Sequence, residues 1–283
     1  MISFQQIGYM GRLGNQMFQF ASTLGIANRL NTVARFPIEN CLNYQGSGPF
    51  DPSIGRCMQV KCDLIDCFEI SPEYFIPQRH INQGDYYHEN EFGYNPGVER
   101  ISGDCSLNGY FQTEKYFGEF RDLILSQFTF KIPYKDSAES YIQTIRKENK
   151  DAVIASIHVR RGDYVMFPDH HPPCSFNYYN KAMEELRILH DNIVYVIFSD
   201  DVEWCKTEFS DPSYIISNLG NPYTEMCAMS LCDHNIMANS SFSWWGSWLN
   251  RNPDKIVIAP SRWFGNSIQK DTSDVYYKKV KII

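Results

Sequence analysis

The chain has 283 residues, 43% of them hydrophobic and 15% aromatic, and carries a formal net charge of -7. That apolar content fills one large core or two of ordinary size and excludes a disordered chain. An acidic protein is a poor coat for nucleic acid, so any anion site has to be local.

The first segment reads as strand, glycine loop and helix: Ile7–Met10, then Gly11–Asn15, then Gln16–Leu30, in which Met17, Phe18, Phe20, Ala21, Leu24 and Ala27 form an apolar face. Residues 37–110 are rich in Pro, Gly, Asn, Cys and Tyr, which predicts short elements and long loops. A helix is expected from Glu114 to about Phe128, and the polar stretch Lys131–Lys150 reads as a connection. Beyond it the alternation is regular. Ala152–Ile157 reads as a buried strand and Tyr178–His190 as a helix; Ile193–Phe198 is a strand, Glu225–Cys232 a helix, Asn235–Ala238 a strand, Phe242–Leu249 a helix and Ile256–Ala259 a strand. Strand-helix repetition implies a parallel, doubly wound α/β sheet, and the length fits two such domains, 1–150 and 151–283.

Nine cysteines, at 41, 57, 62, 67, 105, 174, 205, 227 and 232, form no C-x-x-C pair and no zinc spacing. Cys57, Cys62 and Cys67 repeat every five residues, which matches no common zinc or iron-sulfur pattern, so reduced core thiols are expected. The N-terminus has no basic and apolar leader pattern, and no uncharged apolar run approaches the roughly 18 residues of a membrane span. The location expected is cytoplasmic, with room for peripheral contact at the inner face of the membrane.

The most informative motif is His158-Val159-Arg160-Arg161-Gly162-Asp163-Tyr164, two guanidinium groups leaving a buried strand. Ligands of open α/β sheets collect outside the carboxyl ends of the strands, and the arginine fork grips phosphate through paired hydrogen bonds. Both arginines could equally be solvated or paired with acids, Asp163 among them. Asn239-Ser240-Ser241-Phe242 stands between a strand and a helix, where hydroxyls and free N–H groups suit a phosphate or simply cap the helix. Gly8-x-x-Gly11-x-x-Gly14-Asn15 is neither a dinucleotide fingerprint nor a P-loop; it reads as a tight turn or a close approach to sugar or phosphate. Asp200-Asp201-Val202-Glu203 follows a strand without forming D-x-D, and acids there suit a helix's first turn. Asp169-His170-His171 with His158 lacks helical ligand spacing, so no metal is expected. Trp244, Trp245 and Trp248 read as core.

Gly11–Gln19, Leu107–Gln112, His158–Tyr164, Phe198–Asp201 and Met229–Gly246 together resemble the bacterial α-1,2-fucosyltransferases of glycosyltransferase family 11, which transfer fucose from GDP-fucose to galactose. The resemblance spans nearly the whole chain. It implies a GT-B-like architecture, two Rossmann-like domains with the active site in the cleft between them, and inverting, metal-independent transfer with no cofactor beyond the donor. The domain 1–150 would be the acceptor side and 151–283 would bind the GDP-sugar.

By the same resemblance Arg160 holds the β-phosphate, stabilising charge that grows as GDP leaves. His158 contacts the nucleotide, Ser241 and Phe242 offer donors to the diphosphate, and Gly14 and Asn15 cover fucose or phosphate. Glu225 stands where relatives carry an acid for guanine, usually Asp. Arg161, Asn239 and Ser240 complete the expected donor site. A base for the acceptor hydroxyl is sought at Asp163 and Asp169, beside His170 and His171; some distant relatives place a Glu at the position of Pro168. Asp163 reads also as a scaffold partner for Arg161. The acceptor implied is a galactose-containing oligosaccharide or lipid-linked glycan of a surface polysaccharide. Competing readings are a GDP-sugar transferase with another sugar or acceptor, and a non-catalytic nucleotide- or glycan-binding protein of the same fold.

Overall fold

The computed structural model describes residues 1–42, 47–51, 56–59 and 61–283. The chain forms two compact units, Met1–Lys131 with Lys270–Tyr277, and Ile132–Gln269 with Lys278–Ile283.

The first unit runs β1 (Ile2–Ser3), α1 (Leu13–Arg29), β2 (Ala34–Pro37), α2 (Glu39–Leu42), β3 (Ser47–Asp51), β4 (Arg56–Gln59), α3 (Leu64–Cys67), β5 (Phe75–Ile76), β6 (Asp85–His88), β7 (Cys105–Asn108) and α4 (Arg121–Gln127). Its main sheet has the order β5-β2-β1-β7-β6 with every neighbour parallel, and β3 pairs with β4 as a separate hairpin. The opening strand lies at Ile2–Ser3 rather than Ile7–Met10. Residues 5–9 turn instead, with Tyr9 N donating to Gln6 O at 3.0 Å, and α1 begins at Leu13, ahead of the expected Gln16. The apolar face of α1 is buried as its spacing predicts, and Phe20 stacks on Phe36 of β2 with ring centroids 4.7 Å apart. The helix expected from Glu114 is broken into two short 3-10 turns, Glu114–Tyr116 and Gly118–Phe120, before α4. Cysteines 41, 62, 67, 105, 174, 205, 227 and 232 are free and buried; the side chain of Cys57 lies outside the described residues.

The second unit runs α5 (Ile132–Glu148), β8 (Val153–Val159), α6 (Gly162–Met166), α7 (Phe176–Arg187), β9 (Ile193–Ser199), α8 (Val202–Glu208), β10 (Tyr214–Ile216), α9 (Pro222–Ser230), β11 (His234–Ile236), α10 (Ser241–Leu249), β12 (Val257–Ala259) and β13 (Val280–Ile282). All six strands are parallel in the order β10-β9-β8-β11-β12-β13. The chain winds outward from β8 to one side and then resumes at β11 on the other, the doubly wound order of a dinucleotide-binding sheet. Its reversal lies between β8 and β11. Ile154–Val159 are buried, which is why this strand reads as a continuous apolar run.

Residues 132–148, read from sequence as part of a polar connection within the first domain, are helix α5 of the second unit. Ala138, Ile142 and Ile145 form its buried stripe, Tyr134 meets Tyr223 of α9 edge to face, and Arg146 pairs with Asp233 ahead of β11. The units therefore part between Lys131 and Ile132, and residues 270–277 return to the first, where Asp274 accepts from Tyr94 N at 3.0 Å. Trp244, Trp245 and Trp248 of α10 are fully buried. No helix among the described residues is long and apolar enough to cross a membrane.

Candidate active site

Three adjacent strands of the second unit, β9, β8 and β11, send their following loops to one edge of the sheet. These loops carry Asp200–Asp201, Arg160–Arg161 and Asn239–Ser240, the last leading into Ser241 at the start of α10. The guanidinium of Arg160 pairs with Asp200 through Nη1 and with Asp163 through Nη2, and it stands over the Tyr164 ring, 5.1 Å from the centroid. Arg161 donates its backbone N–H to Asp200 Oδ1 at 2.8 Å and its Nε to Asp201 Oδ2 at 2.9 Å, with its guanidinium 4.2 Å from the centre of Trp204. Asp163 thus partners Arg160, not Arg161. A Cβ on residue 162 would stand 2.5 Å from Asp200 Oδ2, so glycine is what lets the acid reach both arginines. Only 15% of the Arg160 side chain is exposed, and its orientation is set by carboxylates before any ligand arrives.

His158 is 7% exposed, and burial pulls its imidazole down to about 4, so it is neutral at physiological pH. Its Nδ1 is buried with no hydrogen-bond partner among the described residues, and its ring lies 5.3 Å from that of Phe242. A buried ring nitrogen left unsatisfied in this way calls for an explanation. Glu225 lies in the first turn of α9, whose N-cap Asn221 accepts from Tyr223 N at 2.9 Å. Burial pushes the Glu225 carboxyl up to about 7, against the Gly220 N–H and the Ser217 hydroxyl, while the charge of Asp200 adds to the rise.

The four residues Asn239–Phe242 divide by task. Asn239 spends its amide hydrogens on the carbonyls of Pro172 and Trp263, both at 3.0 Å, and its oxygen accepts from Cys174 at 3.4 Å; its side chain is a strut between loops. Ser240 is the N-cap of α10, its Oγ accepting from Phe242 N at 3.3 Å. Ser241 opens the helix and is partly exposed, which leaves it as the hydroxyl best placed for an anion at the helix N-terminus.

Asp169 and His170 are exposed. Their segment is tied down from behind: Ser267 N donates to Asp169 O at 2.9 Å and Gly265 N to His170 O at 2.8 Å. His171 stacks on Tyr164 at 4.8 Å, which links this segment to the Arg160 platform. No group of three His, Cys, Asp or Glu that could hold a metal ion occurs among the described residues.

In the first unit, Gly14 is buried in the first turn of α1, and Asn15 accepts from Gln112 Nε2 through Oδ1 at 2.7 Å. Gly11 has φ +81°, and a Cβ there would meet the Asn15 side chain, so the loop folds back on the helix it precedes. Sequence reading missed the residues that hold this loop. Gln16 donates to Gly11 O and Lys61 O and accepts from Asp63 N; Gln19 donates to Met10 O and Gly109 O. Two glutamines inside a buried apolar helix were the available signal. Glu89, with no such signal, receives Tyr110 N at 2.7 Å and Phe111 N at 2.9 Å, holding a turn in which Phe111 has φ +52°.

The profile of Glycosyl transferase family 11 matches residues 2–281. The chain belongs to this family. It is a glycosyltransferase, similar to the O-antigen biosynthesis glycosyltransferase WbnK of Escherichia coli, with 29% identity over 93% of this chain and 96% of the relative. An alpha-1,2-colitosyltransferase of Escherichia coli is 30% identical over 90% of each chain, and galactoside alpha-(1,2)-fucosyltransferase 2 of Mus musculus is 24% identical over 89% of this chain and 70% of the relative. Among solved structures, POFUT1 in complex with GDP superposes with a TM-score of 0.53 at 12% identity, covering 91% of this chain and 97% of that one. The fucosyltransferase NodZ from Bradyrhizobium follows at a TM-score of 0.50 and 11% identity, covering 87% and 91%. These likenesses establish the GT-B-like α/β architecture with parallel sheets that the motifs implied.

Proposed function

We propose that this glycosyltransferase moves L-fucose from GDP-fucose to the 2-hydroxyl of a galactose in a glycan acceptor, with inversion and without a metal ion. The observation that carries the reading is Arg160, a preset guanidinium at the carboxyl end of β8 where the sheet order reverses. The acceptor oxygen attacks the anomeric carbon of fucose while the bond from that carbon to the β-phosphate oxygen breaks. Negative charge grows on departing GDP, and Arg160 with the N-terminal end of α10 at Ser241 and Phe242 stabilises it in place. His158 offers a neutral ring nitrogen to the nucleotide, and Glu225 accepts from the guanine N1–H and amino group. Arg161 acts from behind, fixing the loop through Asp200 and Asp201.

Asp163 is engaged by Arg160, so of the two carboxylates considered as base, Asp169 is the better candidate to take the acceptor proton; it is exposed and its backbone is anchored. The second unit carries the nucleotide, and the first, with Gly14 and Asn15 in its glycine loop, carries the acceptor side.

A second donor is favoured by one observation, the 30% identity to an alpha-1,2-colitosyltransferase. Colitose is fucose without the hydroxyl at carbon three. The experiment is GDP release with GDP-fucose or GDP-colitose and a panel of β-galactosides, in the presence of a chelator. Release with GDP-fucose and a galactoside is expected. Preference for GDP-colitose would replace the donor, strict metal dependence would overturn the mechanism, and no release above hydrolysis with either donor would sink the transferase reading for these acceptors.

A further inference from the structure

The first unit also has a parallel sheet, and ligand space is expected beyond its carboxyl ends. A cavity of about 370 Å³ lies there, lined by Gln5, Gln6, Tyr9, Gln78 and Tyr86. Gln5, Gln6 and Tyr9 follow β1, Gln78 follows β5, and Tyr86 belongs to β6. The volume falls within the roughly 300–1,000 Å³ of small-molecule sites. Three carboxamides and two phenols line it, with no basic side chain among them to neutralise a diphosphate.

The lining suits a sugar. Carboxamides offer both donors and acceptors to hydroxyl groups, and a phenol ring offers an apolar face to the C–H face of a pyranose while its O–H reaches a polar partner. Tyr9 is 44% exposed and Tyr86 57%, and the Tyr86 ring stacks by one face on His88, with centroids 6.1 Å apart. The backbone beneath them is fixed. Gln5 O accepts from Asn40 Nδ2 at 2.9 Å and Gln78 N donates to Glu39 Oε2 at 3.0 Å. Gln6 Oε1 accepts from Asn108 Nδ2 at 3.0 Å, which orients its N–H₂ end as the recognition group.

We infer that this cavity is a subsite for an uncharged pyranose of the acceptor glycan, with Tyr86 as the stacking platform and Gln6 as a hydrogen-bond donor. The inference rests on the galactoside-transfer reading and adds to it the surface that holds the acceptor. Both side chains are exposed, so truncating them leaves the core intact.

The test measures transfer from GDP-fucose over a lactose titration for wild type, Tyr86→Ala, Tyr86→Phe and Gln6→Ala, with GDP affinity as the control for folding. The lactose KM should rise about tenfold in Tyr86→Ala, the scale of one lost stacking contact, and recover in Tyr86→Phe. A lactose KM unchanged in both Tyr86→Ala and Gln6→Ala overturns the subsite while leaving the transferase reading standing. Where wild type releases no GDP, that reading has failed on its own, and saturation-transfer NMR of lactose on GDP-loaded protein still interrogates the cavity. Lactose signal lost in Tyr86→Ala supports the subsite; signal retained there, or absent from wild type, overturns it.

Discussion

The two units use the same device, a parallel sheet whose carboxyl edge is left open for ligand, and furnish it with opposite chemistry. In the second unit the edge is built from charge: Arg160 between Asp163 and Asp200, and Arg161 on Asp200 and Asp201. In the first no arginine pair among the described residues stands at the corresponding loops: the neutral amides Gln16, Gln19 and Gln112 hold backbone carbonyls and Asn15, and the carboxylates of Glu39 and Glu89 accept backbone N–H groups of Gln78, Tyr110 and Phe111. Topology sets where a ligand can go, and side chains decide which ligand. A polyanion that gains charge as it leaves needs preset cations. A sugar acceptor needs hydrogen bonds and apolar faces without net charge.

The hardest test of that division is Arg160→Ala. Removing one preorganised donor from a site of developing charge costs about 10²–10³ in turnover, or roughly 3–4 kcal/mol. The kcat for GDP release, measured below the thermal midpoint of the variant because Asp163 and Asp200 lose their partner, should fall by that factor, and a loss smaller than tenfold would remove Arg160 from the chemistry. Arg160→Lys should recover only part, since an ammonium cannot reproduce the planar fork.

The second unit was largely legible in the sequence because its central strands are buried on both faces and read as unbroken apolar runs. Helix α5 was not, since only Ala138, Ile142 and Ile145 are buried and the polar remainder masks their spacing. The first unit hid its opening strand, Ile2–Ser3, because two residues carry no periodicity. At the candidate site, His158 and Arg160 came from a motif and Glu225 from the family resemblance, but their partners did not. Asp163 was paired in expectation with Arg161, two residues away; it stands in the first turn of the short helix that begins at Gly162 and meets instead the side chain of Arg160, which precedes that helix. Asn239 and Ser240 looked like phosphate ligands because strut and cap use the same polar residue types as anion sites do.

Gln16→Ala breaks the neutral side of the comparison. This side chain is 1% exposed and satisfies three backbone groups, Gly11 O at 3.2 Å, Lys61 O at 2.9 Å and Asp63 N at 2.7 Å. Truncation leaves buried groups unpaired, at about 1–3 kcal/mol each where water cannot reach them, so a stability loss of about 2–3 kcal/mol is expected. Denaturant unfolding should show the loss unchanged between low and high salt, because no charge is involved. Salt dependence would mean that ion pairs hold this edge too.

Glu225 yields the smallest effect and the sharpest sign. Burial pushes its carboxyl up from 4.5 to about 7. A raised acid binds its proton more tightly folded than unfolded, so its contribution to stability is present below the unfolded value and is lost as pH rises through the folded one. Guanine binding runs the other way, since its N1–H and amino donors need the ionised form. Between pH 8 and pH 6 the ionised fraction falls about tenfold, and the GDP dissociation constant should rise by a similar factor, about 1.4 kcal/mol. The terminal phosphate of GDP titrates in the same range, so the measurement is the difference between wild type and Glu225→Gln, whose pH profile should be flatter by that factor. Superimposable profiles would mean that Glu225 does not hold the base, and would leave the nucleotide bound by the charged edge of the sheet alone.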